Sequence, residues 1–192
     1  MKVADDVGTD LFCTLFEIGG GELYPRSSFA IQLKSKSQRS QVIVTNKIEY
    51  FEKLELPFFA GIVDQSKLRL SIYSGEYVPI LFSHYGRPKK LTLLLEDGDV
   101  TFTNYCEHKG NEGYFLRMPH VVDLDVGENR ESSGNKGRQL LQLCSRMHQN
   151  ISAKVICEYV FRLGDGRPVI FAGPGSAATF RDNFYSSLAE VF

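Results

Sequence analysis

Leu11 to Ile18 reads LFCTLFEI, Gly19-Gly20-Gly21 follows, and Ser28 to Lys34 reads SFAIQLK. Both runs have the aliphatic and aromatic content of strands. The glycines between them suit a hairpin turn, because glycine reaches the positive φ that tight turns require. Side chains alternate faces along a strand. Phe29, Ile31 and Leu33 therefore point one way, toward a core, and Ala30, Gln32 and Lys34 point the other. A glutamine and a lysine two residues apart thus stand side by side at a strand end. Asp10 lies at the mouth of the preceding strand, across the hairpin. Pairing of the two strands brings a carboxylate, an amide oxygen and an ammonium into one small place.

Beyond this hairpin, Gln41 to Thr45 (QVIVT) predicts a short strand. Asn46 suits the cap of a helix over Lys47 to Leu54, where Ile48, Phe51 and Leu54 share a face and which Pro57 ends. Phe58 to Asp64 (FFAGIVD) has the unbroken apolar character of a central strand buried on both faces. Lys67 to Tyr73 adds another strand after a turn at Gln65-Ser66. The order β-β-β-α-β-β predicts an α/β fold with a mixed central sheet. Further on, Leu91 to Leu95 and Val100 to Asn104 flank Asp97-Gly98 as a hairpin, and Tyr114 to Met118 adds a strand. Gly127 to Arg138 is polar and rich in glycine and serine, which predicts a mobile loop. Gln139 to His148 reads as a helix with Leu140, Leu143, Cys144 and Met147 on one stripe. Strands over Ala153 to Leu163 and Val169 to Ala172, and a helix over Ser176 to Val191, close the chain. Gly86 and Pro88 interrupt the pattern. They suggest a core over residues 1–85 and a strand-rich α+β extension over residues 86–192, either separate or part of the same domain.

With 192 residues, 43% of them hydrophobic, the chain can bury a sizeable core. A net charge of −1 speaks against a globally basic nucleic-acid protein, so any positive surface must be local. No stretch approaches the roughly 20 apolar residues of a membrane-spanning helix. The opening MKVADDVGTD lacks a signal peptide's apolar centre, and a cytoplasmic protein without membrane attachment is expected. Cys13, Cys106, Cys144 and Cys157 form no CxxC pair, so free buried thiols are expected. Cys106-x-His108 is the nearest approach to a metal pair, and it has no companion pair at ligand spacing.

A carboxylate and a neutral oxygen can hold Mg²⁺ or Mn²⁺, hard cations that favour oxygen ligands. Such a cation polarises a phosphate and acidifies bound water, and a nearby lysine can offset charge on the reacting phosphorus. The run DDVGTDLFCTLFE, then a glycine hairpin, then FAIQLKS resembles the PD-(D/E)XK nuclease superfamily. Asp10 falls on that family's metal-binding aspartate. Gln32-Leu33-Lys34 falls on its (D/E)xK tripeptide, in the QxK form of Mrr-like restriction endonucleases and of a group of uncharacterised bacterial domains. The helix and the proline-led strand ending at Asp64 follow the same pattern, so the resemblance covers about residues 5–75. It implies a sheet of restriction-endonuclease-like type and metal-dependent hydrolysis of DNA phosphodiesters, in restriction or phage defence. Asp10 and Gln32 would be the metal ligands, with Lys34 beside the reacting phosphate.

This chain departs from the family in two ways. Gln32 replaces an acid and brings no charge to the metal. The family's earlier helix, which supplies a glutamate, does not fit in the nine residues before Asp10. The expectation is that the chain is a piece of a longer one, that a homodimer mate or other partner chain completes the fold, or that the fold is catalytically degenerate. Arg26, Lys34, Lys36, Arg39 and Lys47 form a basic strip without an intervening acid from Arg26 to Ile48. Arg26, Lys36, Arg39 and Lys47 are the candidate phosphate contacts.

Two competing classes follow: a degenerate nuclease fold that binds nucleic acid or assembles with protein, and an unrelated β-rich interaction protein in which QxK is coincidence. A dinucleotide reading of Gly173-Pro174-Gly175-Ser176-Ala177-Ala178 fails, because 14 residues after Ala178 leave no room for the second strand and its acid. His84, His108, His120 and His148 are scattered, and no GxSxG supports a serine hydrolase.

Overall fold

The computed structural model describes residues 9–35, 41–43, 48–101, 103–155, 160–162 and 168–170. Strands β1 (Leu11–Gly19) and β2 (Glu22–Ser35) form the expected antiparallel hairpin. Its turn rests on Gly20 and Gly21, both at positive φ. After β3 (Gln41–Ile43) and α1 (Ile48–Lys53), β4 (Phe58–Asp64) pairs parallel to β2. The parallel pairing requires a crossover, which the segment bearing β3 and α1 supplies. β5 (Arg69–Ser74) returns antiparallel to β4.

The chain then forms α2 (Val78–Tyr85), β6 (Leu91–Glu96), β7 (Cys106–His108), β8 (Tyr114–Asp125) and α3 (Arg130–Val155). A separate antiparallel pair, β9 (Val160–Arg162) and β10 (Pro168–Ile170), follows. The main sheet runs β1-β2-β4-β5-β8-β6-β3, with β7 also on β8. The chain is therefore α/β with a mixed sheet, and the strands past Tyr85 extend the sheet begun by the first half.

Two apolar layers cover the sheet. On one face Ala30, Phe58, Ala60, Ile62 and Tyr73 pack with Ile48 and Phe51 of α1 and with Val78, Ile80 and Leu81 of α2. On the other, Phe29, Ile31, Phe59, Ile72 and Val122 meet Leu140, Leu143, Cys144 and Met147 of α3. β4 thus feeds both layers, as its unbroken apolar run predicts. Phe59 is wholly buried and meets Phe29 edge-on at 5.0 Å, while Phe51 meets Phe58 at 4.7 Å. Each such ring contributes about 1.5–3 kcal/mol by burial. Arg69 ties β5 to β8 through a two-pronged bond to Asp125, at 2.6 and 3.1 Å, and a third bond to Asp123 at 3.2 Å.

Three of the expectations past Tyr85 need correction. The loop expected over Gly127 to Arg138 is instead the start of α3 from Arg130 onward. Asn129 caps it, its side-chain oxygen accepting from the Ser132 N–H at 2.8 Å. Glu128 binds back to the Asp125 N–H and to Lys136. These bonds and the apolar stripe from Leu140 outweigh the helix-weakening Gly134 and Gly137. The strand expected from Ala153 begins inside α3, and residues 156–159 lie outside the described set. The strand expected at Val100 to Asn104 is a turn, in which Asn104 accepts from the Thr101 N–H at 2.7 Å and donates its own N–H to the Thr101 carbonyl. Finally, α2 had no periodic signal. It is buried almost all round, and its Pro79 is tolerated because the first helical turn has no intrahelical partner for its N–H. The helix expected over Ser176 to Val191 lies outside the described residues.

Candidate functional site

The hairpin register sets the site. Leu11 pairs with Ile31 and Phe12 with Ala30, which carries Asp10 to the level of Gln32. Asp10 donates its N–H to the Ile31 carbonyl at 3.0 Å. Its carboxylate Oδ2 accepts the N–H of Leu33 at 2.5 Å. Leu33 is the residue between Gln32 and Lys34, so the carboxylate is fastened to the backbone midway along the tripeptide. Gln32 and Lys34 share the face that also carries Ala60 and Ile62 of β4, their register partners. The three residues named from the sequence are therefore brought together. They differ in exposure: Asp10 is exposed, Lys34 half-buried, and Gln32 only 5% exposed.

The amide oxygen Oε1 of Gln32 is buried and has no hydrogen-bond partner among the described residues. Buried acceptors are almost always satisfied, and an orphan costs about 1–3 kcal/mol. An unsatisfied oxygen on the strand that holds a carboxylate fits in kind a site for a hard cation, which takes oxygen ligands and completes its shell with water and phosphate. Among the described residues no group of three or more His, Cys, Asp or Glu is placed to hold a metal. Asp10 and Gln32 would thus supply the protein's share of a sparse coordination shell.

Sequence reading missed the support behind Asp10. Thr9, 7% exposed, shares a 2.6 Å hydrogen bond between its Oγ1 and the Tyr50 hydroxyl on α1. The helix after β3 thereby holds the residue next to Asp10. Tyr50 lies off the Ile48–Phe51 stripe, so periodicity gives no reason to notice it.

The basic strip is only partly described. Arg26 sits at the irregularity in the hairpin register and pairs with Glu17 at 2.5 Å, six residues along β2 from Gln32. Lys36, Arg39 and Lys47 lie outside the described residues. On the same sheet face as Gln32, His120 meets Asp123 at 3.0 Å and Tyr73 donates to Asp97 at 2.8 Å. Asp123 is held below the usual carboxylate range: partial burial opposes this, but bonds from Ser71 and His120 and the charge of Arg69 prevail. These groups satisfy one another and join strands. A cleft of about 350 Å³ opens at the β4–β5 turn, lined by Val63, Asp64, Leu68, Arg69, Leu124 and Asp125. Its two acids and the engagement of Arg69 with Asp125 make it a poor seat for phosphate.

Burial disfavours the thiolate at Cys106 and Cys144. Burial first, then the charge of Glu107, pushes the Cys106 thiol up to about 12. Burial pushes Cys144 up to about 11, with a bond from Ser27 opposing. Among the described residues Cys13, Cys106 and Cys144 are free, and no helix is long and apolar enough to cross a membrane.

Comparison of the chain with protein-family models, with curated proteins and with solved structures finds no match.

Proposed function

We propose that the protein is a metal-dependent nuclease of the PD-(D/E)XK type, hydrolysing DNA phosphodiesters at Asp10, Gln32 and Lys34. One observation carries this reading. The Asp10 carboxylate is bonded to the Leu33 N–H between Gln32 and Lys34, and the Gln32 amide oxygen on that strand is buried and, among the described residues, unsatisfied. A divalent cation bound there supplies Lewis-acid activation of water and of the scissile phosphate. Asp10 brings the negative charge that holds such an ion, and Gln32 brings a second, neutral oxygen. Lys34, on the same face and half-buried, places an ammonium next to the phosphate to offset charge as the phosphorus becomes five-coordinate. The hydrogen bond from Leu33 orients the Asp10 carboxylate in advance, and Tyr50 fixes the backbone before it through Thr9. Mg²⁺ or Mn²⁺ is the expected ion, and Lys36, Arg39 and Lys47 the expected backbone contacts to DNA.

The test is cleavage of supercoiled plasmid with Mn²⁺ by the wild-type chain, Asp10→Asn and Lys34→Ala. Nicking by the wild type that both substitutions abolish is expected. Equal cutting by all three proteins removes these residues from the chemistry.

A second reading is a catalytically degenerate member of the fold that binds DNA without cutting it. It is favoured by the uncharged Gln32 in the acidic position and by the absence of a three-ligand group among the described residues. It predicts no heat of Mn²⁺ binding in calorimetry together with salt-sensitive DNA binding. Binding of Mn²⁺ that is lost in Asp10→Asn would overturn it.

A further inference from the structure

The β1–β2 hairpin carries most of the exposed large apolar side chains among the described residues: Leu11, Phe12, Phe16, Ile18, Leu23 and Tyr24. The register places four of them on one face. Phe12 lies opposite Ala30, Phe16 opposite Pro25, and Ile18 opposite Leu23, so Phe12, Phe16, Ile18 and Leu23 form one stripe. Their exposures are 67%, 56%, 57% and 64%. Among the described residues β1 is also the edge of the sheet, paired on one side only. Alternate N–H and C=O groups along its nine residues therefore point away from β2. Protected edges carry lysine, proline or inward-pointing charge. β1 has no lysine or proline, and Glu17, its one charged residue, is engaged by Arg26.

We propose that β1 is the interface of a homodimer, in which this edge pairs antiparallel with the same edge of a second copy about a two-fold axis. Antiparallel edge pairing is self-complementary and closes, so it yields a dimer and not a filament. Centring the axis on Leu15, the middle residue of β1, uses all nine residues. Phe12 then faces the partner's Ile18, and Thr14 faces the partner's Phe16. Glu17 falls opposite the partner's Cys13, so no like charges meet. At roughly 200 Å² for a fully open side chain of this class, Leu11, Phe12, Phe16 and Ile18 of β1 leave about 460 Å² open per protomer. A standard interface covers about 800 Å² per partner, so the pairing rests on its backbone hydrogen bonds as well as on these side chains. A stripe of this size is on the scale of the largest apolar patch a typical monomer leaves open, and such patches are often interaction sites.

The experiment is sedimentation analysis of the full chain over a concentration series, with Phe16→Asp and Ile18→Lys beside the wild type and circular dichroism to confirm folding. The expected result is a wild-type dimer whose dissociation constant rises at least about ten-fold in each variant, the scale of losing an interface anchor. Should Phe16→Asp fail to fold, Ile18→Lys, nearer the hairpin tip, carries the test. Register is read separately. On oxidation, Leu15→Cys cross-links to its own copy at several times the wild-type yield, and Glu17→Cys cross-links through the partner's Cys13, whereas Glu22→Cys on β2 does not. A wild-type monomer throughout, open-ended aggregates, or a dimer indifferent to both surface variants overturns the proposal. None of these outcomes depends on whether the protein cuts DNA.

Discussion

Replacing Gln32 with methionine should make the protein more stable and less able to respond to metal. Methionine matches glutamine in length, is linear where the amide forks, and has no strong acceptor to satisfy. Gln32 is only 5% exposed, and its Oε1 has no partner among the described residues, so the wild type bears about 1–3 kcal/mol of unmet desolvation at this atom. The expected gain, at the lower end of this range, is about 1 kcal/mol, which in a chain of this size raises Tm by about 2–4 °C. Metal should act in the opposite sense. A cation at 100 times its Kd stabilises the wild type by about 2.7 kcal/mol, and the variant should forfeit most of that. The assay is urea unfolding of both proteins in EDTA and in excess Mn²⁺, with unchanged m-values as the control. A variant less stable than wild type in EDTA would show that the amide is satisfied. A variant that keeps the full Mn²⁺ response would show that its oxygen is no ligand. This is the usual conflict between a site built to bind and a core built to pack.

Four further outcomes are expected. Lys34→Ala should lower Mn²⁺-dependent plasmid cleavage about 100-fold or more while leaving Mn²⁺ binding by calorimetry little changed. Tyr50→Phe deletes the 2.6 Å bond to Thr9, should cost about 1 kcal/mol in urea unfolding, and should weaken Mn²⁺ binding several-fold through the loosened Asp10. Gly113→Ala should destabilise by about 2–3 kcal/mol, because φ is +90° there and an added Cβ would lie 2.5 Å from the Lys90 carbonyl; thermal unfolding reads this directly. Burial lowers the His148 pKa from its ordinary 6.5, with a backbone bond at Ser28 opposing. The unfolded chain therefore takes up the proton first as pH falls. Stability contributed by the neutral ring is complete above 6.5 and declines below it until the lowered value is passed. His148→Gln should flatten that part of the stability–pH curve.

The first half of the chain was legible because its signals are local. A glycine turn between two apolar runs, period-two alternation around Gln32, and an unbroken apolar β4 each depend on a few adjacent residues. The same locality brought Asp10 to the level of Gln32 on the paired strand, since hairpin register follows from a short turn. What escaped depends on contacts made at a distance or on all sides. α2 is apolar throughout, so its helical period is hidden. The start of α3 has poor intrinsic helix propensity and is held by Asn129, Glu128 and packing on the sheet. Thr9 and Tyr50 are 41 residues apart, and only the crossover that makes β4 parallel to β2 sets them against each other. The burial of Gln32 was likewise invisible, because alternation assigns a face but does not say whether helices cover it.

β8 has a consequence for how the chain must fold. Its first half, Tyr114 to Pro119, lies parallel to β6, and its second half, His120 to Asp125, lies antiparallel to β5. A single strand therefore acts as the splice between segments that the sequence would separate near Tyr85. Cutting the chain there strips β5 of one neighbour and removes the α3 layer that shields Phe59 and Ile72. A fragment ending at residue 85 should be molten or insoluble, and the intact chain should lose both segments in one melting event. Tolerance to insertion or nicking would then be found at the hairpin tip around Gly20, not at the glycine-proline step after α2.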